Sequence, residues 1–485
     1  MGVKHVVIKG AGISGACAAN EFKKMGYEVT ILEKNNYVGG KLKTYQDTSH
    51  PGLSAEYGAG VLTHNYPIID NLLENNIHVE KLLDMRNSTV EVLDELNKLS
   101  LFGRLMYSAQ FVWQSIKFAS SVWTYNVASA NLNEKIPSDL EAPFSDYVKT
   151  HHLQNVATFL KTLVPGFGYG TYDDEKNYTY KILAYMGYTT LPAIGASYHS
   201  LVNVHGGYQQ LVEKMLEGCD VKTSVTINRI DRSPESVKVK YIWRNSMGED
   251  IEDEIDADLL VDTTSPATWN TSEMKLSPAE QACADQATFF RYPVAICKIK
   301  GLPPEQIFVP SAMEKEGFGH AAFLFTRDNR TNPEDGRLFS VYINLPRGNT
   351  TYNLDPGSKD IETLKQDLLN LGATDVTLLD SVVWKDYHTT LPWKTGIKLQ
   401  KEELTKSYST IHLGGHMPGS FETVAGCSQY AKYAIQRYFN ASESFVSTCY
   451  RNAMRTIHFF SMPREKIYSD EQEKQEQCLM QKSVI

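Results

Sequence analysis

One stretch of about thirty residues limits what this chain can fold into. Val6-Val7-Ile8 is an apolar, β-branched run, the composition of a strand buried on both faces. It leads into Gly10-Ala11-Gly12-Ile13-Ser14-Gly15. Ala16-Cys17-Ala18-Ala19 and Phe22 then recur at helical spacing, Gly26 stops the helix, and Glu28-Val29-Thr30-Ile31-Leu32 reads as a second strand. Strand, glycine turn, helix and strand in this order are the setting in which G-x-G-x-x-G binds a dinucleotide. Gly10 permits the tight turn, Gly12 lets the backbone approach a pyrophosphate, and Gly15 lets the helix pack on the strand. Ile13 and Ser14 open the helix, whose free N–H groups and positive dipole end face the phosphates. Glu33 ends the second strand, with Lys34 after it. A carboxylate there accepts hydrogen bonds from ribose hydroxyls and disfavours a 2′-phosphate. Lys9 stands where an apolar residue is usual, and the sequence offers no account of it.

A second glycine motif, Asn36-Tyr37-Val38-Gly39-Gly40-Lys41, follows directly. Here the chain resembles the flavin-containing amine oxidase superfamily, which carries Gly-Gly-Arg or Gly-Gly-Lys at this point. The resemblance implies FAD, with Gly39, Gly40 and Lys41 at the pyrophosphate and ribityl chain. Lys41 would offer a point charge where an arginine offers a fork. Glu56-Tyr57-Gly58-Ala59-Gly60 is similar to the segment whose backbone passes the flavin ring. His205-Gly206-Gly207-Tyr208 opens a helix, and the strand after it places Ile227 where the family contacts adenine. Ile411-His412-Leu413-Gly414-Gly415-His416 and Phe421-Glu422-Thr423-Val424-Ala425-Gly426 precede a long helix from about Cys427. They are similar to the closing FAD motif, in which a helix N-terminus, expected here at Thr423, meets the flavin pyrimidine. His416 departs from that motif, which has glutamate after the glycine.

Phe167-Gly168-Tyr169-Gly170, before an aromatic run of Tyr178, Tyr180 and Tyr185, is similar to polyenoic fatty acid isomerases within this superfamily. That likeness implies a flavoenzyme that moves double bonds in polyunsaturated fatty acids. Arg86 would anchor the substrate carboxylate, and Phe167, Tyr169, Trp384 and Tyr387 would line the pocket. A solvated surface role for Arg86 and plain packing of the Trp384, Tyr387, His388 and Trp393 cluster are the alternatives. An oxidase or desaturase of an amine, a carotenoid-like or another lipophilic substrate, or a flavoprotein without turnover, also fits these motifs. The lysine that amine oxidases hold near the flavin has one candidate, Lys298, in an unconvincing register.

The fold class expected is α/β, a Rossmann-type FAD-binding domain of the amine-oxidase kind assembled from discontinuous segments, with an α+β substrate domain. Residues 1–65, 205–266 and 400–445 would form the FAD domain. Residues 66–204 and 267–399 would form the substrate domain, helical and then strand-rich. A C-terminal helix and tail would occupy 446–485. Residues 101–123 carry Leu101, Phe102, Leu105, Val112, Trp113, Ile116 and Trp123 around few polar residues. They read as one or two aromatic-faced helices that pack in a core, wall an apolar tunnel or touch a membrane surface peripherally.

Composition narrows the function classes. A net charge of −9 opposes general nucleic-acid binding, which needs a basic face. No apolar run is long enough for a transmembrane helix, and no cleavable leader opens the chain. Seven scattered cysteines without CxxC spacing predict reduced thiols in the cytoplasm and no metal site. No second G-x-G-x-x-G marks a nicotinamide domain.

Overall fold

The computed structural model describes residues 4–50, 52–60, 62–63, 77, 79–81, 100–157, 168–170, 173–185, 201–204, 206–245, 247–270, 273–302, 307–308, 318–328 and 336–439. Arg86, Phe167, His205 and the tail beyond 439 lie outside this set.

The opening βαβ unit forms as its pattern predicts. Strand β1 (His5–Lys9), helix α1 (Ile13–Lys24) and strand β2 (Glu28–Leu32) follow one another, and β1 pairs in parallel with β2 from His5↔Glu28 to Lys9↔Leu32. The sheet has five parallel strands in the order Thr410–His412, Leu259–Asp262, β1, β2 and Asp220–Lys222. Val6, Val7 and Ile8 are fully buried, which explains why the central strand is an unbroken apolar run. Helix Val424–Phe439 packs on α1, and Phe22, Leu211, Tyr430 and Ala434 share that core. Lys9, unexplained by the sequence, sits beside its parallel partner Asp262, with Nζ 3.4 Å from the carboxylate and 3.8 Å from Glu273.

A five-stranded antiparallel sheet carries the other large core. Its order is Ile307–Phe308, Ala321–Phe325, Arg337–Ile343, β3 (Thr288–Lys300) and β4 (Asp375–Thr390). Arg337–Ile343, β3 and β4 lie in the stretch that the sequence marks as strand-rich. A third, three-stranded sheet joins Thr226–Arg232, Val237–Arg244 and Asp250–Ala257. The last of these reads Asp-Ile-Glu-Asp-Glu-Ile-Asp-Ala and is held by cross-strand ion pairs, Lys238 to Glu254 at 2.5 Å and Lys240 to Glu254 at 3.2 Å. Its charge hid it from a reading based on apolar alternation.

Residues 101–123 belong to a single helix, α2 (Leu101–Ala130), capped by Ser100 accepting from Gly103 N–H at 3.1 Å. Phe118, Val122, Tyr125 and Ala128 face the core, and Tyr125 Oη accepts from Gly419 N–H at 2.9 Å. The opposite face is uncovered. Among the described residues, eight of the thirteen exposed large apolar side chains lie on α2, including Leu101, Phe102, Trp113 and Ile116. No described helix is long and apolar enough to cross a membrane.

Candidate functional site

The two glycine motifs meet at the N-terminus of α1. Gly39 N–H donates to Ala11 C=O at 2.8 Å, and Gly12 and Gly39 form a parallel bridge. A Cβ at Gly15 would lie 2.1 Å from Gly10 O, so the close helix–strand approach demands glycine there. A Cβ at Gly12 would meet nothing within 4 Å. That open space beside helix N–H groups suits a pyrophosphate. Ser14 is buried and Ile13 packs in the core.

Glu33, almost fully buried, is gripped from two sides. Ala11 N–H donates to Oε2 at 2.8 Å; Asn35 donates to Oε1 from its backbone at 2.8 Å and its amide at 2.7 Å. A carboxylate has about four acceptor positions, so ribose hydroxyls can still bind. Backbone bonds from Val225 to Glu33 O and from Ser224 to Asn35 O bring the strand that carries Ile227 alongside. Lys34 is exposed.

Gly58 passes so close to the second motif that a Cβ would lie 1.9 Å from Lys41 O. A Cβ at Gly60 would strike Tyr342 and Phe325. Ala59 packs against the FAD-side core. Lys41 Nζ donates to the carbonyls of Asp386 at 2.5 Å and Tyr387 at 2.9 Å. Trp384 Nε1 donates to Tyr57 O at 2.5 Å, and Tyr57 Oη bonds Asp380. Trp384 and Tyr387 therefore lie against Tyr57 and Lys41. Trp393 packs on Tyr125 and Tyr180 and donates to Asn133 O at 2.7 Å; its role is structural. Glu56 is a joint, accepting from Tyr208 N–H at 3.0 Å and Thr44 Oγ1 at 2.8 Å and pairing with Arg327.

At the closing motif the structure adds a group the sequence did not single out. Lys181, fully buried in helical segment 179–185, donates to Gly415 O at 2.5 Å and lies 4.0 Å from Glu422. The only sequence signal was a lysine inside an aromatic helical run. Glu422 also accepts from Thr389 N–H at 3.0 Å and bonds His388 Nδ1 at 2.7 Å. Burial pulls the Glu422 carboxyl upward, but Lys181, His388 and Lys41 outweigh it and hold it well below the usual carboxylate range. Burial lowers Lys181, against the pull of Glu422.

Glycine conformation brings Tyr169 here. Gly168 and Gly170 have φ of +77° and +78°, and a Cβ at either would strike the ring of Tyr292 or Phe290. Lying flat on those rings, the segment seats Tyr169 against Phe421 (centroids 4.7 Å apart), Tyr185 (5.2 Å) and His388 (5.4 Å). Tyr292 continues this wall to Tyr387 and Tyr342.

Helix α3 (Val424–Phe439) starts about three residues earlier than the Cys427 that the sequence suggested. Thr423 N–H is spent on Phe421 O at 2.8 Å, and Thr423 Oγ1 caps the helix by accepting from Gly426 N–H at 2.9 Å. The first-turn donors beyond this cap are Val424 and Ala425 N–H. Gly415 packs so tightly that a Cβ would lie 2.4 Å from Glu422 backbone atoms. Burial pushes His416 down to about 3, so it is neutral, and its Nε2 has no hydrogen-bond partner. That atom can bond a ribityl hydroxyl, as the usual glutamate would. Lys298, the alternative lysine, is turned away, 3.5 Å from Asp47. Cys427 is buried, with its thiol pushed up to about 12 chiefly by desolvation, which suits a flavin held without a covalent bond.

Comparison with known proteins agrees with this geometry. Residues 13–292 match the family model for flavin containing amine oxidoreductase. The beta-cyclopiazonate dehydrogenase of Aspergillus flavus is 25% identical over 339 residues, covering 68% of this chain and 70% of that protein. The CLA-producing fatty acid isomerase from P. acnes superposes with a TM-score of 0.69 at 18% identity, covering 90% of this chain and 99% of that one. Putrescine oxidase does so at 0.63 and 12% identity, covering 89% and 98%. The chain belongs to the flavin-containing amine oxidoreductase family and is an FAD-dependent enzyme with that family's α/β fold.

Proposed function

We propose that the enzyme acts on an unsaturated, lipophilic substrate, and that its reaction is double-bond isomerisation of a polyunsaturated fatty acid. The observation that carries this reading is the aromatic wall of Tyr169, Tyr185, Phe421, Tyr292 and Tyr387 against the closing flavin motif. Such a wall holds an alkene chain by burial. Bound FAD supplies the hydride acceptor and donor. The chain's own residues orient the substrate and exclude water. Gly10, Gly12, Gly15, Glu33, Gly39, Gly40, Lys41, Gly58, Ile227, Gly415, His416 and Glu422 form the FAD site in this reading, and Arg86 anchors the substrate carboxylate. The FAD domain comprises 1–65, 205–266 and 400–445, and the substrate domain 66–204 and 267–399. Anaerobic incubation with a panel of polyunsaturated fatty acids tests the reaction. Isomerisation gives many turnovers per flavin and a product of unchanged mass. A single flavin reduction that halts until oxygen enters, with a product two hydrogens lighter, refutes it.

Dehydrogenation of a lipophile is the second reading. It is favoured by His388, whose Nε2 has no partner inside the same wall, and by the relatives named dehydrogenase and oxidase. In either reading the outer face of α2 rests on a lipid surface. Its support is a helix of thirty residues without one Asp or Glu in a chain of net charge −9, with Lys117 beside Trp113. The five described cysteines are free, which supports a reducing compartment such as the cytoplasm.

A further inference from the structure

His388 and His412 make an instructive pair, since both are buried and both touch glutamates. His412 has a carboxylate at each nitrogen, Glu403 at 3.0 Å and Glu280 at 3.1 Å. Its Nδ1 is hydrogen-bonded to Glu403, and its Nε2, although it makes no hydrogen bond, faces the Glu280 carboxylate in an ion pair. His388 has a carboxylate at one nitrogen only. Its Nδ1 lies 2.7 Å from Glu422 Oε2, while Nε2, fully buried, has no hydrogen-bond partner among the described residues. Leaving such an atom unpaired is unfavourable, a cost a fold tolerates where a ligand supplies the missing bond.

The tautomer follows from the contacts. Glu422 also takes Thr389 N–H, from the residue next to His388 on β4, so backbone and ring of one strand grip one carboxylate and fix the ring. An ionised carboxylate only accepts, so Nδ1 carries the proton and the neutral ring has a lone pair at Nε2. Burial first, and then Lys181 and Arg347, depress His388 below its ordinary value, while Glu422 pulls the other way. These are the charged groups that face it: Lys181 sits over Phe421, and Arg347 lies 4.0 Å over the Phe290 ring, tied to Asp174 at 2.8 Å. The rings around His388 are Tyr169 at 5.4 Å, Phe421 at 5.3 Å and Phe290, nearly parallel, at 6.3 Å.

We infer that His388 is the proton acceptor of the site, its Nδ1–H fixed by Glu422 and its Nε2 lone pair presented to an O–H or N–H of the substrate within the slot of Tyr169, Phe290 and Phe421. This rests on the dehydrogenation reading. The substrate class is then a lipophile whose oxidised carbon carries a hydroxyl or amine, rather than a bare polyene. The X–H proton would go to Nε2, and FAD, when bound, would supply the two-electron acceptor that takes the C–H hydrogen with its electron pair as C=X forms, so charge and electrons balance.

The test uses FAD-loaded enzyme labelled with ¹⁵N-histidine. The His388 resonances are assigned by their loss in His388→Gln, or in His388→Asn if the first variant folds poorly. The expected result is a neutral ring at pH 7 with its proton on Nδ1 and a bare Nε2. A proton on Nε2, a doubly protonated ring, or an Nε2 already hydrogen-bonded with FAD alone overturns the inference. The second measurement is anaerobic flavin reduction by a long-chain secondary alcohol, an arylalkyl amine and linoleic acid. Reduction by an X–H probe should fall about a hundredfold or more in His388→Gln, with the visible flavin spectrum kept. An undiminished rate, or reduction by none of the X–H probes, overturns it. Loss of flavin from the unmodified enzyme would instead sink the reading of the FAD site.

Discussion

Replacing Glu33 by Ala tests the cofactor site, because the structure gives this carboxylate two tasks. It holds the glycine turn through Ala11 N–H and its own loop through two bonds from Asn35, and it is proposed to take the ribose hydroxyls. Hydrogen bonds to a charged group contribute about 1.5–3 kcal/mol each. Ala11 is fully buried, so its N–H is left without a partner, whereas water reaches the partly buried Asn35. The apoprotein should lose about 2–4 kcal/mol of stability in urea unfolding. FAD affinity, read by quenching of flavin fluorescence, should fall at least tenfold, about 1.4 kcal/mol, if even one ribose bond is lost. Asn35→Ala is the control. It removes one arm of the clamp and leaves the acceptor in place, so it should cost stability while sparing most of the affinity. If Glu33→Ala destabilises the apoprotein as expected yet binds FAD as before, Glu33 is only a clamp and the ribose is held elsewhere.

Lys181→Met leaves Glu422 buried without its cation and should cost about 3–5 kcal/mol in denaturant unfolding, with Lys181→Met/Glu422→Leu recovering part of it; strictly additive losses would mean that the two are not coupled. His412 is opposed by its burial, but Glu280 and Glu403 outweigh that and push it up to about 10. Its folded value lies above its unfolded one, so its stabilisation is full below about pH 6.5 and disappears as pH rises through 10. The stability gap between the wild type and His412→Gln should therefore shrink from pH 6 to pH 10, and a gap that does not change contradicts the assignment. Trp113→Ser with Ile116→Ser should weaken sedimentation with anionic vesicles about tenfold or more, whereas equal binding would put the lipid contact elsewhere. Arg86→Ala should raise KM for a fatty acid but not for its methyl ester; equal effects on both would make Arg86 structural.

The βαβ unit was legible because every local signal agreed: an apolar strand, a glycine turn, helical spacing and an acidic stop, each within a few residues of the next. The features that escaped depend on contacts between distant segments. Lys9 looked anomalous until Asp262, its neighbour across a parallel ladder, was in place. Nothing in the sequence set Lys181 apart until Gly415 and Glu422 closed over it. The segment Gly168-Tyr169-Gly170 could be picked out by its composition, but its purpose lies in the rings of Tyr292 and Phe290 that its glycines accommodate. Sequence reading favours residues that act through their own backbone, since turn, helix start and close approach are local demands. A buried charge is set by what it is folded against. Hence the FAD motifs could be named from the chain alone, while the His388–Glu422–Lys181 cluster, drawn from β4, the closing motif and segment 179–185, emerges only when three separated segments meet.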